Sequence, residues 1–308
     1  MSSNNLNTEF HKRFTKVKDA LQFIEAVEKL DLSKISDDEL GEMIDQNVPI
    51  FPYTSATIPA GTKLFRARLN KKNKPYLKTK DIFIPPIDKI NEYGRANKPH
   101  EQIFYCASNF KLAAFEVIQD FRYSLVPQKE IAFLTIGIWK TKIDLHVASI
   151  VHSPFLRKIR EDINEHYNEI ENILNGEHHN REFATAGNLV FQFFADQFTK
   201  HKIESHCDYR ISALYSRRLR HANSVISEHY QNEKFDGINY PSVAMAYKGD
   251  NQALFFETAS EKLELVNAIQ VVCGNIDFKN ASFTVKVLDE AERIKNGNIQ
   301  WKEEIYKT

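Results

Sequence analysis

The sequence predicts an α+β domain built on a mixed or antiparallel sheet, and three observations lead there. Short β-branched or aromatic runs come first: KLFRAR (63–68), IFYCA (103–107) and IAFLTIGIW (131–139). A long stretch from Pro154 to about residue 230 then carries no strand pattern but keeps its apolar residues three or four apart. Strand-like runs return afterwards as GINY, QALFFE, AIQVVCG and SFTVKVL. Strands grouped on either side of a helical block, rather than alternating with single helices, define the α+β class.

Residues 1–50 read as a helical preface. Phe10, Phe14, Val17, Leu21, Ile24 and Val27 share one helical face, with Thr8 as its cap. Ser36-Asp37-Asp38-Glu39 has the form of a capping box and opens a second helix that ends before Pro49. Residues 51–308 make up the main domain, with the helical insertion at about 154–232. In KLFRAR the sheltered positions are Leu64 and Ala67. Asn70 to Lys98 is basic, interrupted by prolines and weakly patterned, a long loop of the kind that carries function. IFYCA is the next strand, and Ser108 or Asn109 caps a helix running to about Gln119. IAFLTIGIW, almost wholly apolar, suits a central strand. The insertion, opened by Phe155, Ile159, Ile163, Tyr167, Ile170 and Leu174, reads as three helices. Asp236-Gly237 turns the chain into GINY, and Pro241 confines that strand to an edge or an end.

Composition narrows the function. The chain has 308 residues, 42% of them hydrophobic, enough for one large domain or a domain with an appendage. Its 41 basic and 41 acidic residues balance, which excludes the uniformly basic surface that grips nucleic acid. Cys106, Cys207 and Cys273 are odd in number and far apart, so neither a zinc ribbon nor a disulfide framework is encoded. His178-His179, His201 and His206-Cys207 match no ligand spacing of a zinc site, and no metal is expected. The polar N-terminus lacks a signal peptide's apolar run, and no segment reaches the ~20 apolar residues of a membrane helix. A soluble cytoplasmic protein is expected, with a closed two-fold dimer as the default assembly.

Several residues have both a structural and a functional reading. On a helical wheel begun at Asn109, Glu116 falls in a narrow polar stripe that faces water or lines a cleft; pattern alone favours water. Arg66 and Arg68 are one pleat apart and share a face, as snorkelling side chains or as a forked phosphate anchor. Arg95 follows Gly94 in a loop suited to anions. Tyr105 alternates with Phe104, so one is core and the other can offer its ring to a flat ligand. Ser242 stands where a strand stops, in reach of a ligand or of neighbouring backbone. The run Arg210–Ser224 reads as the wet face of a helix.

Taken in order, LFRAR, YGRAN, IFYCASNFKLAAFEV, FDGINYPSV and GDNQALFF resemble the RES domain, a family named for an Arg, a Glu and a Ser. The likeness covers residues 62–120 and 234–257. The chain has Tyr-Gly-Arg-Ala-Asn where the family usually has Gly-Gly-Arg-Trp-Asn, and its preface and insertion exceed the compact family members. The resemblance implies a sheet core like that of ADP-ribosyltransferases and breakdown of NAD+ as substrate, with no further cofactor. It implies an NAD+ glycohydrolase acting as a toxin or defence effector, restrained by an Xre-like antitoxin or another inhibitory protein. ADP-ribosyl transfer to a macromolecule, NAD+ phosphorolysis and a non-catalytic nucleotide- or partner-binding module are the alternatives. By the same resemblance, Glu116 hydrogen-bonds the ribose hydroxyls and stabilises the transition state, Arg66 holds the pyrophosphate with help from Arg95, and Tyr105 stacks on or orients the nicotinamide end. Ser242 donates to the ligand or fixes the pocket, and Asn97 and Asn251 complete the NAD+ site.

Overall fold

The computed structural model describes residues 16–48, 54–119, 131–174, 181–225, 234–277, 280 and 282–302. In chain order the described helices are α1 (Val17–Glu28), α2 (Asp37–Asn47), α3 (Phe110–Gln119), α4 (Pro154–Ile159), α5 (Glu161–Leu174), α6 (Arg181–Phe198), α7 (Arg210–Val225) and α8 (Phe256–Lys262). The strands are β1 (Ser55–Ile58), β2 (Lys63–Leu69), β3 (Ile103–Ala107), β4 (Ile131–Thr141), β5 (Leu145–Ser149), β6 (Gly237–Pro241), β7 (Asp250–Phe255), β8 (Leu263–Asp277), β9 (Ser282–Lys295) and β10 (Asn298–Trp301). The class is α+β. The chain divides into two compact units: a helical one from 1–55, 92–99 and 148–231, and a sheet one from 56–91, 100–147 and 232–308.

The ten strands form one sheet in the order β1-β5-β6-β7-β3-β2-β4-β8-β9-β10. From β6 to β10 every neighbouring pair is antiparallel. The apolar IAFLTIGIW lies in β4, paired on both sides, as its composition requires. Successive side chains alternate between faces, so the sheet carries two cores. On one face Ala67, Ala107, Leu134, Ile136 and Val271 pack against Leu112, Ala113, Ala114 and Ile118 of α3. On the other, Leu64, Phe104, Trp139, Leu254 and Ala268 pack with Ile82, Ile84 and Trp301. Leu64 and Ala67 are both buried, as expected, but on opposite faces.

The first part of the expected long loop is strapped onto that second face. Thr135 Oγ1 donates to Asn70 Oδ1 at 2.6 Å and accepts from Tyr76 N. Tyr76 OH donates to Leu69 O, Trp301 Nε1 donates to Tyr76 O, and Gln270 Nε2 donates to Asn73 O. Side chains of the sheet thus take up backbone groups that the irregular segment cannot pair itself.

In the helical unit the capping box at α2 forms in both directions: Glu39 N donates to Ser36 Oγ at 3.1 Å, and Ser36 N to Glu39 Oε2 at 2.9 Å. The cap expected at Thr8 lies outside the described residues. The insertion holds four helices among the described residues, not three, because Arg160 leaves helical geometry (φ −132°, ψ 107°) and separates α4 from α5. The reading of Arg210–Ser224 as a wet face is corrected: residues 210 to 216 of α7 are all buried. Arg210 itself is 6% exposed and donates to Asp37 and to the carbonyls of Leu32 and Ile35. Tyr93 OH also donates to Asp37, at 2.7 Å. Burial pushes the Asp37 carboxyl up, but these two donors outweigh it and hold it below its usual value.

Candidate functional site

Glu116 reaches its position because α3 is anchored at its start. Asn109 Oδ1 accepts from Leu112 N at 2.9 Å, an N-cap. Ser108 N donates to Asp250 O, and Asp250 N donates to Ser108 Oγ, so the helix begins against the first residue of β7. With its apolar positions packed on the sheet, the polar stripe of α3 is carried toward β6 and β7. Glu116 is half-buried there, and its Oε1 accepts from Ser242 Oγ at 2.6 Å and from Asn251 Nδ2 at 2.5 Å. Oε2 has no hydrogen-bond partner among the described residues. The solvent-facing position that pattern alone favoured for Glu116 is therefore not the one adopted.

Ser242 follows β6 and is fully buried. Its N–H donates to Gly249 O, its carbonyl accepts from Tyr247 N, and Met245 N approaches its Oγ at 3.4 Å. These bonds close a tight loop, Ser242–Gly249, in which Ala246, Tyr247 and Gly249 all have positive φ. Gly249 has φ +114°, and a Cβ there would lie 3.1 Å from Leu112 of α3. Gln119 Nε2 donates to Ala244 O at 3.4 Å and ties the other end of α3 to the same loop. Asn251 is 6% exposed, on β7, opposite Ala107 of β3 and Tyr240 of β6. Tyr105 lies one pleat from Ala107 on that same face and is half-buried.

Arg66 does not join this group. It shares a face with Leu64, opposite the face that α3 covers, and its guanidinium stands 5.3 Å from the Phe104 ring. Its Nη1 donates to Tyr105 O at 2.6 Å and its Nε to Phe83 O at 3.3 Å, while Arg68 Nη2 also donates to Phe83 O. β2 and β3 pair at Phe65 and Ala107, and beyond that pair the Arg66 side chain spans the seam to the main chain of β3. Burial, then the neighbouring charge of Arg68, pushes Arg66 down to about 10, which leaves it cationic at neutral pH.

Arg95 and Asn97 belong to the helical unit and spend their donors there. Arg95 Nη1 donates to Phe198 O at 2.7 Å and Nη2 to Lys200 O at 3.1 Å, and its guanidinium lies over Tyr209. A cation on the last carbonyls of α6 is a helix C-cap, favoured by the dipole. Asn97 Nδ2 donates to Glu92 O and Lys98 O and closes its own turn. A loop cation with anion-binding potential is indistinguishable in sequence from a cap for a helix whose end lies a hundred residues away.

Of the expected site residues, Glu116, Ser242 and Asn251 are brought together, with Tyr105 on the same face. Ser108, offered by the sequence as an alternative cap to Asn109, instead ties the helix start to Asp250, and Gly249, the first residue of GDNQALFF, fixes the loop. Neither was expected among the site residues, although the Lys248-Gly249-Asp250 turn signal before β7 marks the glycine. Among the described residues no group of three or more His, Cys, Asp or Glu side chains could hold a metal ion, and no helix is long and apolar enough to cross a membrane. No family model matches the chain, and no curated protein matches its sequence significantly.

A carboxylate with one oxygen fixed by two donors and the other uncommitted has a defined direction. It can accept from a ligand hydroxyl or face a centre on which positive charge develops.

Proposed function

We propose that the chain cleaves the nicotinamide–ribose bond of NAD+, with Glu116 as the residue that stabilises the reaction's transition state. The observation that carries this reading is the convergence of Ser242 and Asn251 on Glu116 Oε1. As the C1′–N1 bond opens, its electron pair leaves with nicotinamide and positive charge grows at C1′, an oxocarbenium-like state of the kind met in glycoside cleavage. The free Oε2 of Glu116 stabilises that charge and the ribose hydroxyls. Water then adds to C1′ and loses a proton, giving ADP-ribose, nicotinamide and H+. Nicotinamide departs as a neutral base, so no second carboxylate is needed to protonate it. Tyr105, on the same face, orients the nicotinamide end.

Arg66, Arg95 and Asn97 have no part in this reading, because their donors hold main-chain carbonyls. The wider reading, an NAD+-depleting toxin or defence effector restrained by an Xre-like antitoxin, rests on the family resemblance alone.

Incubation with labelled NAD+, with and without phosphate, tests the proposal. Free ADP-ribose in both conditions is the expected result. ADP-ribose 1″-phosphate would make phosphate the acceptor, and label retained on protein or nucleic acid would indicate transfer. Glu116→Gln keeps the shape and removes the charge, so turnover should fall about 10²–10³-fold with the fold intact. Equal rates for variant and wild type would overturn the assignment.

A further inference from the structure

Resting on the reading of Glu116 given above, we propose that Asn251 is a positioning residue: its side-chain amide clamps Oε1 of Glu116, leaving Oε2 as the single carboxylate oxygen offered to substrate. The sequence resemblance placed Asn251 on NAD+ itself, but its Nδ2 is committed to Glu116 at 2.5 Å. Three elements meet at this oxygen: Glu116 comes from α3, Ser242 from the tight loop after β6, and Asn251 from β7.

The donors differ in rigidity. Ser242 sits at the mouth of a loop with three positive-φ residues. Asn251 lies inside β7, paired with Ala107 on one side and Tyr240 on the other, and is buried. A strand held by neighbours on both sides fixes its side chain more tightly than a loop does. A glutamate alone can rotate to offer either oxygen, and a donor on the sheet removes that freedom before substrate arrives. The bond is charge-assisted and therefore stronger than a neutral amide contact.

The proposal makes Asn251 act only through Glu116, and a double-mutant cycle isolates that dependence. Single-turnover and steady-state NAD+ cleavage would be measured for wild type, Asn251→Ala, Glu116→Gln and the double variant. Asn251→Ala should lower kcat about tenfold with KM within about twofold, the loss of one charge-assisted hydrogen bond. In the Glu116→Gln background the same change should cost nothing further. A raised KM with unchanged kcat, or a tenfold loss that persists without the carboxylate, would overturn the proposal. Asn251→Asp preserves the volume should the alanine variant fold poorly, and it should be slower than Asn251→Ala because it sets a carboxylate against Glu116.

One readout is independent of turnover. The Asn251 side-chain amide resonance should lie well downfield and collapse toward the ordinary position in Glu116→Ala. That collapse in a protein that leaves NAD+ intact would refute the enzymatic reading and keep the clamp. An Asn251 amide indifferent to Glu116 would refute the clamp whatever the protein does to NAD+.

Discussion

Arg66 and Glu116 are both charged residues among apolar neighbours, yet the fold uses them in opposite ways. Among the described residues Glu116 keeps one oxygen unspent, whereas Arg66 gives its bonds to the carbonyls of Tyr105 and Phe83 and so joins β2, β3 and the strap beneath the sheet. Arg66→Ala should therefore reduce stability by about 1–3 kcal/mol, since a part-buried carbonyl at Tyr105 loses its donor. NAD+ affinity measured by calorimetry should stay near that of wild type. A drop in affinity with unchanged urea unfolding would show that the guanidinium serves the ligand. The sequence could place Arg66 and Arg68 on one face, because alternation is local. It could not say which face α3 would cover and which the segment after Asn70 would cover, because both depend on packing between distant parts of the chain.

At the scale of elements, the features legible in the sequence are those whose cause is local. The capping box at Ser36, the cap at Asn109, the apolar β4 and the end of β6 at Pro241 each depend on a few adjacent residues. The break at Arg160 and the burial of Arg210 depend on what packs against them. An Arg-rich run looks wet until Asp37, Leu32 and Ile35 supply acceptors for its first member. The Ser242–Gly249 loop lies between these cases. Its glycine is visible in the sequence, but the need for it comes from both a left-handed φ and the approach of Leu112. Gly249→Ala strains the first and crowds the second, with an expected cost of about 1–3 kcal/mol. Because the loop seats Ser242 against Glu116, the proposed NAD+ turnover should fall as well. A Gly249→Ala protein with wild-type melting temperature and turnover would show that the loop relaxes without disturbing the carboxylate.

On the scale of the whole chain, each unit has its own core, and acid should find the helical one through His152. That side chain is 3% exposed, stacks on Phe191 at 4.1 Å, meets Tyr167 edge-on and leaves its Nε2 buried with no hydrogen-bond partner among the described residues. Burial, followed by the charges of Arg157 and His166, pushes it down to about 3. An unfolded histidine titrates near 6.5, so between about 6.5 and 3 the unfolded chain holds a proton that the folded one refuses. Stability is therefore fully present above about 6.5 and declines as the pH falls through that window, by at most about 1.4 kcal/mol per pH unit from this residue. Carboxylates held low by partners, such as Asp37, add their own loss at lower pH, so the wild-type slope alone does not isolate the histidine. His152→Phe keeps the ring stack and removes the titration. Urea unfolding of the two proteins, followed by helical circular dichroism from pH 8 to 4, should give curves that diverge below pH 6.5, the variant becoming progressively more resistant relative to wild type. Parallel curves would mean that the imidazole takes up its proton without unfolding the helices around it.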